Sequence, residues 1–186
     1  MTDPPEALVY PVAGLLADPP GTSRSFEVGP VRLDLGEDLS IAAPVTGRLE
    51  LSRTNRGLLV RAELETSLEE TCSRCLRDIE VPVDVRIDEE ALPSVELTTG
   101  LPVDDDEEPE AVRLDSHHQL DLEPLVREAI QLAEPIAPLC RPDCPGLCPV
   151  CGEELATGPH DHPDEPIDPR LERLRAFRVD GEPPKD

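Results

Sequence analysis

From Val45 onward the chain alternates between apolar and polar positions. Val45, Gly47, Leu49 and Leu51 are interleaved with Thr46, Arg48, Glu50 and Ser52. After a turn signal at Thr54-Asn55-Arg56-Gly57, Leu58, Val60, Ala62 and Leu64 repeat the pattern, and Ile79, Val81, Val83, Val85 and Ile87 repeat it again. A period of two predicts half-buried strands, and the short connections predict an antiparallel meander. Pro82 falls among the polar positions of the third run, where its missing N–H suits an edge strand. Upstream, Val31 to Leu35 reads as a short strand. Val12 to Ala17 reads as a short helix, ended by Asp18-Pro19-Pro20-Gly21.

Later the period changes. Leu122, Leu125, Val126, Ala129, Ile130 and Ala133 share one helical face, with Asp121 as N-cap, Pro124 in the first turn and Pro135 as the stop. Asp168 to Phe177 reads as a second short helix with Pro169 at its first position. The expected class is α+β, a small antiparallel β-sheet (meander) with a C-terminal helix and a cysteine-rich tail. The expected division is an extended N-terminal segment over 1–30, a β domain over 31–92 and an acidic linker over 93–117. A helical and cysteine-rich segment over 118–180 and a tail over 181–186 complete it. His117-His118 reads as an exposed loop pair.

Charge narrows the choice of partners. The chain of 186 residues carries a formal net charge of -24. Such a surface repels phosphate and argues against wrapping nucleic acid in general. Asp104 to Glu110 (DDDEEPE) reads as a solvated run. With aromatics at only 2%, the core must be aliphatic and modest, and a small core often needs a metal or disulfide staple. The N-terminal residues do not read as a signal peptide, and no apolar run reaches the roughly 20 residues of a membrane span. The expected location is the cytoplasm, where paired cysteines favour metal over disulfides.

All six cysteines fall in short pairs. Cys72 and Cys75 form a C-x2-C at the turn between the second and third strands. Cys140, Cys144, Cys148 and Cys151 follow as C-x3-C-x3-C-x2-C, and His160 and His162 lie nine and eleven residues beyond Cys151. Zinc takes thiolate and imidazole ligands tetrahedrally. Eight ligands make two closed sites, and spacing favours one partition. Cys148 and Cys151 form a knuckle, Gly152 permits its left-handed turn, and His160 and His162 complete it. Cys140 and Cys144 then join Cys72 and Cys75. The cysteine stretch would face back to the sheet with its first pair and forward to the histidines with its second. A rival partition puts Cys140, Cys144, Cys148 and Cys151 on one zinc and leaves Cys72 and Cys75 as a dithiol. Cys144-x3-Cys148-x2-Cys151 also matches an iron–sulfur spacing, but no α/β barrel accompanies it. A redox role for Cys72-Ser73-Arg74-Cys75 lacks the helix N-terminus that such motifs use. A closed zinc site leaves no position for substrate, and no carboxylate pair or phosphate loop stands out, so the expectation is structural zinc in a non-enzyme.

These motifs resemble the YceD family. Cys72-Ser73-Arg74-Cys75-Leu76 is similar to its C-x-R-C-L signature, and Cys140 to Gly152 to its C-x3-C-x-G-L-C-x2-C-G stretch. Ile167-Asp168-Pro169-Arg170-Leu171 with Leu174 resembles its I-D-P-R-x-x-x-L tail. Leu15-Leu16 with Pro20-Gly21-Thr22-Ser23-Arg24 resembles its N-terminal segment. Many members carry a C-x-C where this chain has His160-Asp161-His162, an exchange of one zinc-ligand pair for another. The resemblance implies a role in large-subunit ribosome assembly or 23S rRNA accumulation, with a ribosomal precursor particle, ribosomal protein or rRNA as partner. Basic ribosomal proteins suit an acidic surface. Direct RNA contact would need a basic patch, and Arg170, Arg173, Arg175 and Arg178 are the dense candidate, unless they simply offset the chain's own acids. The competing expectation is an rRNA-processing or dithiol redox enzyme using the C-x2-C pair.

Overall fold

In the computed structural model, residues 8–36, 39–103, 111–158, 160–162 and 170–171 are described. The chain divides into two compact units, Met1–Cys144 and Pro145–Asp186. The first unit is mostly sheet. Strands β2 (Ser23–Val31), β3 (Ser40–Arg53), β4 (Leu58–Thr71), β5 (Asp78–Pro93) and β6 (Val112–Leu114) lie in the order β2-β3-β4-β5-β6. The first three pairings are antiparallel and the last is parallel. A small second sheet pairs β1 (Val9–Pro11) with β7 (Gln119–Asp121).

The alternation seen in the sequence is the division between the faces. Leu49, Leu51, Leu58, Val60, Ala62, Leu64, Val83, Val85 and Ile87 are buried. The main helix α2 (Glu123–Ala133) places Val126 and Ile130 in the same core, beside Leu122. Tyr10 and Phe26 meet there with ring centroids 5.3 Å apart. Pro82 pairs with Ser67 of β4, and β6 covers β5 only at Ala91 to Pro93, so among the described residues no strand pairs with β5 on the far side of Pro82. The turn at Thr54 closes with its N–H on the Gly57 carbonyl. Gly47 is needed where β3 and β4 come close. At φ +151, a Cβ there would stand 2.1 Å from the Glu63 oxygen.

Several expectations need correction. The early strand is Ser23–Val31, not Val31 to Leu35. Only Val28 of that edge strand is buried, and a register shift separates Val28 from Val31, so its sequence does not alternate. The stretch 1–30 is not a plain extended segment, since it holds β1, while the short helix expected over Val12 to Ala17 is present as α1 (Ala13–Ala17) and buries Leu15 and Leu16. Within 93–117, β6 joins the sheet and Val95 bridges Pro102. Leu122, rather than Asp121, holds the N-cap position of α2, although the Asp121 carboxylate still accepts the Glu123 N–H at 3.0 Å. The acidic run 104–110 lies outside the described residues, as does most of the helix expected over 168–177.

The outer face of the sheet is charged unevenly. One row runs Glu27, Arg48, Glu63, Arg86 across four strands with alternating sign. Towards the β4–β5 turn the rows become acidic only, with Glu65 opposite Asp84 and Glu69 opposite Glu80.

Candidate metal centre

The first site is built where the β4–β5 hairpin turns. The Leu76 N–H donates to the Cys72 carbonyl at 2.9 Å, and the Cys72 N–H donates to the Arg77 carbonyl at 2.8 Å. This folds Cys72 and Cys75 into a knuckle with both sulfurs on one side. The chain leaving α2 reaches it through a hydrogen bond from the Ser73 N–H to the Pro138 carbonyl, 2.9 Å. Arg74 then donates to the Cys144 carbonyl at 2.9 Å. The four ligand atoms of Cys72, Cys75, Cys140 and Cys144 all lie within 4.8 Å of one another. Cys72, Cys75 and Cys144 are buried, and Cys140 is half-buried.

The second site repeats the construction inside the second unit. The Gly152 N–H donates to the Cys148 carbonyl at 2.8 Å, and the Cys148 N–H to the Glu153 carbonyl at 2.7 Å. Ligand atoms of Cys148, Cys151, His160 and His162 again lie within 4.8 Å of one another. Cys151 is exposed and the two imidazoles are half-buried, so this site is the more open one.

The spacing of the donors tests what could sit between them. Sγ of Cys72 is 3.9 Å from Sγ of Cys144, and Sγ of Cys75 is 3.7 Å from Sγ of Cys140. A disulfide would require about 2.05 Å. A tetrahedral ion with metal–sulfur bonds of about 2.3 Å sets its sulfurs about 3.8 Å apart. In the second site the Cys151 sulfur is 3.5 Å from His160 Nδ1. The same geometry with a metal–nitrogen bond of about 2.0–2.1 Å calls for about 3.6 Å. His160 Nε2 lies 3.3 Å from the Glu154 carbonyl, the kind of partner that fixes a ligating histidine's tautomer. His162 Nε2 is buried with no hydrogen-bonding partner among the described residues. Both donor sets are compatible with zinc.

The electrostatics point the same way. Backbone N–H groups, that of Cys140 first, hold the Cys72 thiol down to about 6. Cys140 is pushed up to about 12, chiefly by the Cys144 sulfur and then by burial. The Cys151 N–H, then that of Val150, lower the Cys148 thiol. A divalent ion between clustered sulfurs favours their thiolate forms.

The grouping matches the two-site partition drawn from spacing. Cys140 and Cys144 stand with Cys72 and Cys75, and Cys148 and Cys151 stand with His160 and His162. None of the six cysteines is in a disulfide. His117 is exposed, but His118 is half-buried at φ 57, and its carbonyl accepts the Val12 N–H. Of the arginine row, Arg170 is described, while Arg173, Arg175 and Arg178 lie outside the described residues. The sequence reading missed the supporting role of Arg74 and of the Glu154 carbonyl. An arginine inside a C-x2-C turn was the available signal for the first, and a backbone acceptor left no signal at all.

A family model described as large ribosomal RNA subunit accumulation protein YceD matches residues 60–178, which include every cysteine and both histidines of the two sites. The chain belongs to the YceD family. Among curated relatives, uncharacterized proteins of Mycobacterium tuberculosis and Mycobacterium bovis are each 36% identical over 126 residues, 68% of this chain and 58% of theirs. One from Mycobacterium leprae is 32% identical over 135 residues, 71% of this chain and 58% of its own. The match thus spans less than two thirds of the relatives' length. No solved structure matches. Among the described residues, no helix is long and apolar enough to cross a membrane.

Proposed function

We propose that this YceD-family chain is a non-catalytic factor in large-subunit ribosome assembly or 23S rRNA accumulation, held in shape by two structural zinc ions. The family description ties its members to accumulation of the large ribosomal RNA subunit. The observation that carries the zinc assignment is the sulfur spacing of 3.7 and 3.9 Å in the first site, which suits a tetrahedral ion. Cys72, Cys75, Cys140 and Cys144 hold one ion, and Cys148, Cys151, His160 and His162 hold the other. Four protein ligands complete each tetrahedron, so neither ion offers a place for substrate. Zinc here contributes folding free energy rather than chemistry. Arg170, Arg173, Arg175 and Arg178 supply a contact for RNA or a partner in a chain that is otherwise strongly acidic. The working compartment is the cytoplasm.

Native mass spectrometry counts the metal. Two zinc ions per chain are expected, and Cys144→Ser and Cys148→Ser should each lose a different one. A single zinc, or iron, sinks the assignment. Depleting the chain in its source organism should lower 23S rRNA relative to 16S rRNA. Wild type should restore the ratio and the two cysteine variants should not. An unchanged ratio on depletion removes the ribosomal role. Charge reversal of the four arginines should weaken co-sedimentation with large-subunit particles, and unchanged sedimentation removes their contact role.

A further inference from the structure

The two knuckles make the same backbone hydrogen bonds but carry different residues after the second cysteine, Leu76 in one and Gly152 in the other. In each, the residue after the second cysteine donates its N–H to the carbonyl of the first cysteine, at 2.9 Å for Leu76 and 2.8 Å for Gly152. In each, that residue has a positive φ, +58 for Leu76 and +74 for Gly152. Glycine takes this conformation without a Cβ clash, and for leucine it is an outlier. Among the described residues, the Leu76 side chain takes no part in the buried core. It is 64% exposed and stands outside the core cluster. Glycine at the same place in the second knuckle shows that the turn itself does not call for a side chain. Strain retained at an exposed apolar residue points to a contact outside the fold.

The surroundings define what would make that contact. Leu76 stands at the tip of the β4–β5 hairpin. At the base of the knuckle the last strand pair is Thr71 with Asp78, and two pairs further in Glu69 opposes Glu80. Like charges directly opposite each other repel. A cleft of about 610 Å³ opens there, lined by Ser40, Glu69, Glu70, Thr71, Asp78 and Glu80 along with Ile79. Among the described residues it is lined by four carboxylates and no basic side chain. Glu70 Oε1 is buried without a hydrogen-bonding partner among the described residues. The knuckle's own arginines are engaged, Arg74 with the Cys144 carbonyl and Arg77 in interactions of its own.

We propose that Leu76 and the acidic cleft at its base dock a basic segment of a partner protein. An apolar pocket of the partner takes the leucine, and its lysine or arginine side chains enter the cleft. RNA is the poorer occupant, because its phosphates meet carboxylates. The inference deepens the function proposed above and rests on it for where the partner is found, in the large ribosomal subunit or its precursors. The first zinc site then has a second use, since it fixes the turn that displays the leucine.

A photo-activatable leucine analogue placed at position 76 of the full chain tests this in living cells. Irradiation should yield an adduct with a protein at a lysine- or arginine-rich segment, identified by mass spectrometry. Excess untagged wild type should suppress that adduct, and Leu76→Gly should compete about ten- to a hundred-fold less well. Leu76→Gly should also keep both zinc ions and melt within a few degrees of wild type, because glycine suits the turn. An adduct with RNA, no adduct, or equal competition by Leu76→Gly overturns the docking. So does loss of zinc or of the fold in Leu76→Gly, which would make the leucine structural. If the basic partner lies outside the large subunit, docking stands and the ribosomal reading falls.

Discussion

Arg74 supports the first metal site without offering it a ligand. Its guanidinium donates to the Cys144 carbonyl and so ties the incoming loop to the knuckle. Arg74→Ala should therefore keep two zinc ions but speed the loss of one to a chelator several-fold. The stability cost should be about 1 kcal/mol, below the roughly 1.5–3 kcal/mol usual for a charged hydrogen bond because the arginine is exposed. If both sites hold zinc as proposed, burial should set the order in which they lose it. Cys72 and Cys144 are 0% and 3% exposed, whereas Cys151 is open to solvent. A colorimetric chelator should show two phases, with the fast phase absent from Cys148→Ser and the slow phase absent from Cys144→Ser. A single phase common to both variants would contradict this order.

At the scale of elements, legibility followed the strength of the periodic pattern. β3, β4, β5 and α2 were readable because each repeats its apolar position several times, from Leu49 to Ile87 and from Leu122 to Ile130. β1, β6 and β7 were not, since a strand of three residues contains too few repeats to show a period. β2 was misplaced because an edge strand with one buried residue has no need to alternate. The grouping of the cysteines was legible because C-x2-C is itself a folding unit, and the two knuckles make the same hydrogen bonds. Leu76 was readable only as part of a signature. Its meaning depends on a backbone angle that residue types do not state. Two substitutions test the packing of these elements. Ile130→Ala removes a fully buried side chain of α2 and should cost about 2–5 kcal/mol in denaturant unfolding. Gly47→Ala drives a Cβ into the β4 backbone at Glu63 and should cost about 1–3 kcal/mol. If either variant is as stable as wild type, the assigned β3–β4 or helix–sheet contact is wrong.

Across the whole molecule, a net charge of -24 biases which partners arrive and how fast. On the sheet's outer face that charge is sorted. Glu27, Arg48, Glu63 and Arg86 offset one another, while Glu65, Asp84, Glu69 and Glu80 have no basic residue opposite them. Glu69 and Glu80 repel across the strands, so Glu69→Gln with Glu80→Gln should raise stability by roughly 0.2–1 kcal/mol. If the acidic face steers a basic protein, the same double variant should associate several-fold more slowly with large-subunit particles, with dissociation less affected. Raising salt should slow wild type towards the variant's rate, because screening removes the same attraction. If RNA phosphate were the surface met, removing two carboxylates would instead speed association. The direction of the rate change, measured by stopped-flow at low salt, therefore separates the two partners, and a faster variant would remove the basic-protein assignment. A variant that is more stable yet slower to bind would mark the Glu69–Glu80 repulsion as serving recognition rather than folding.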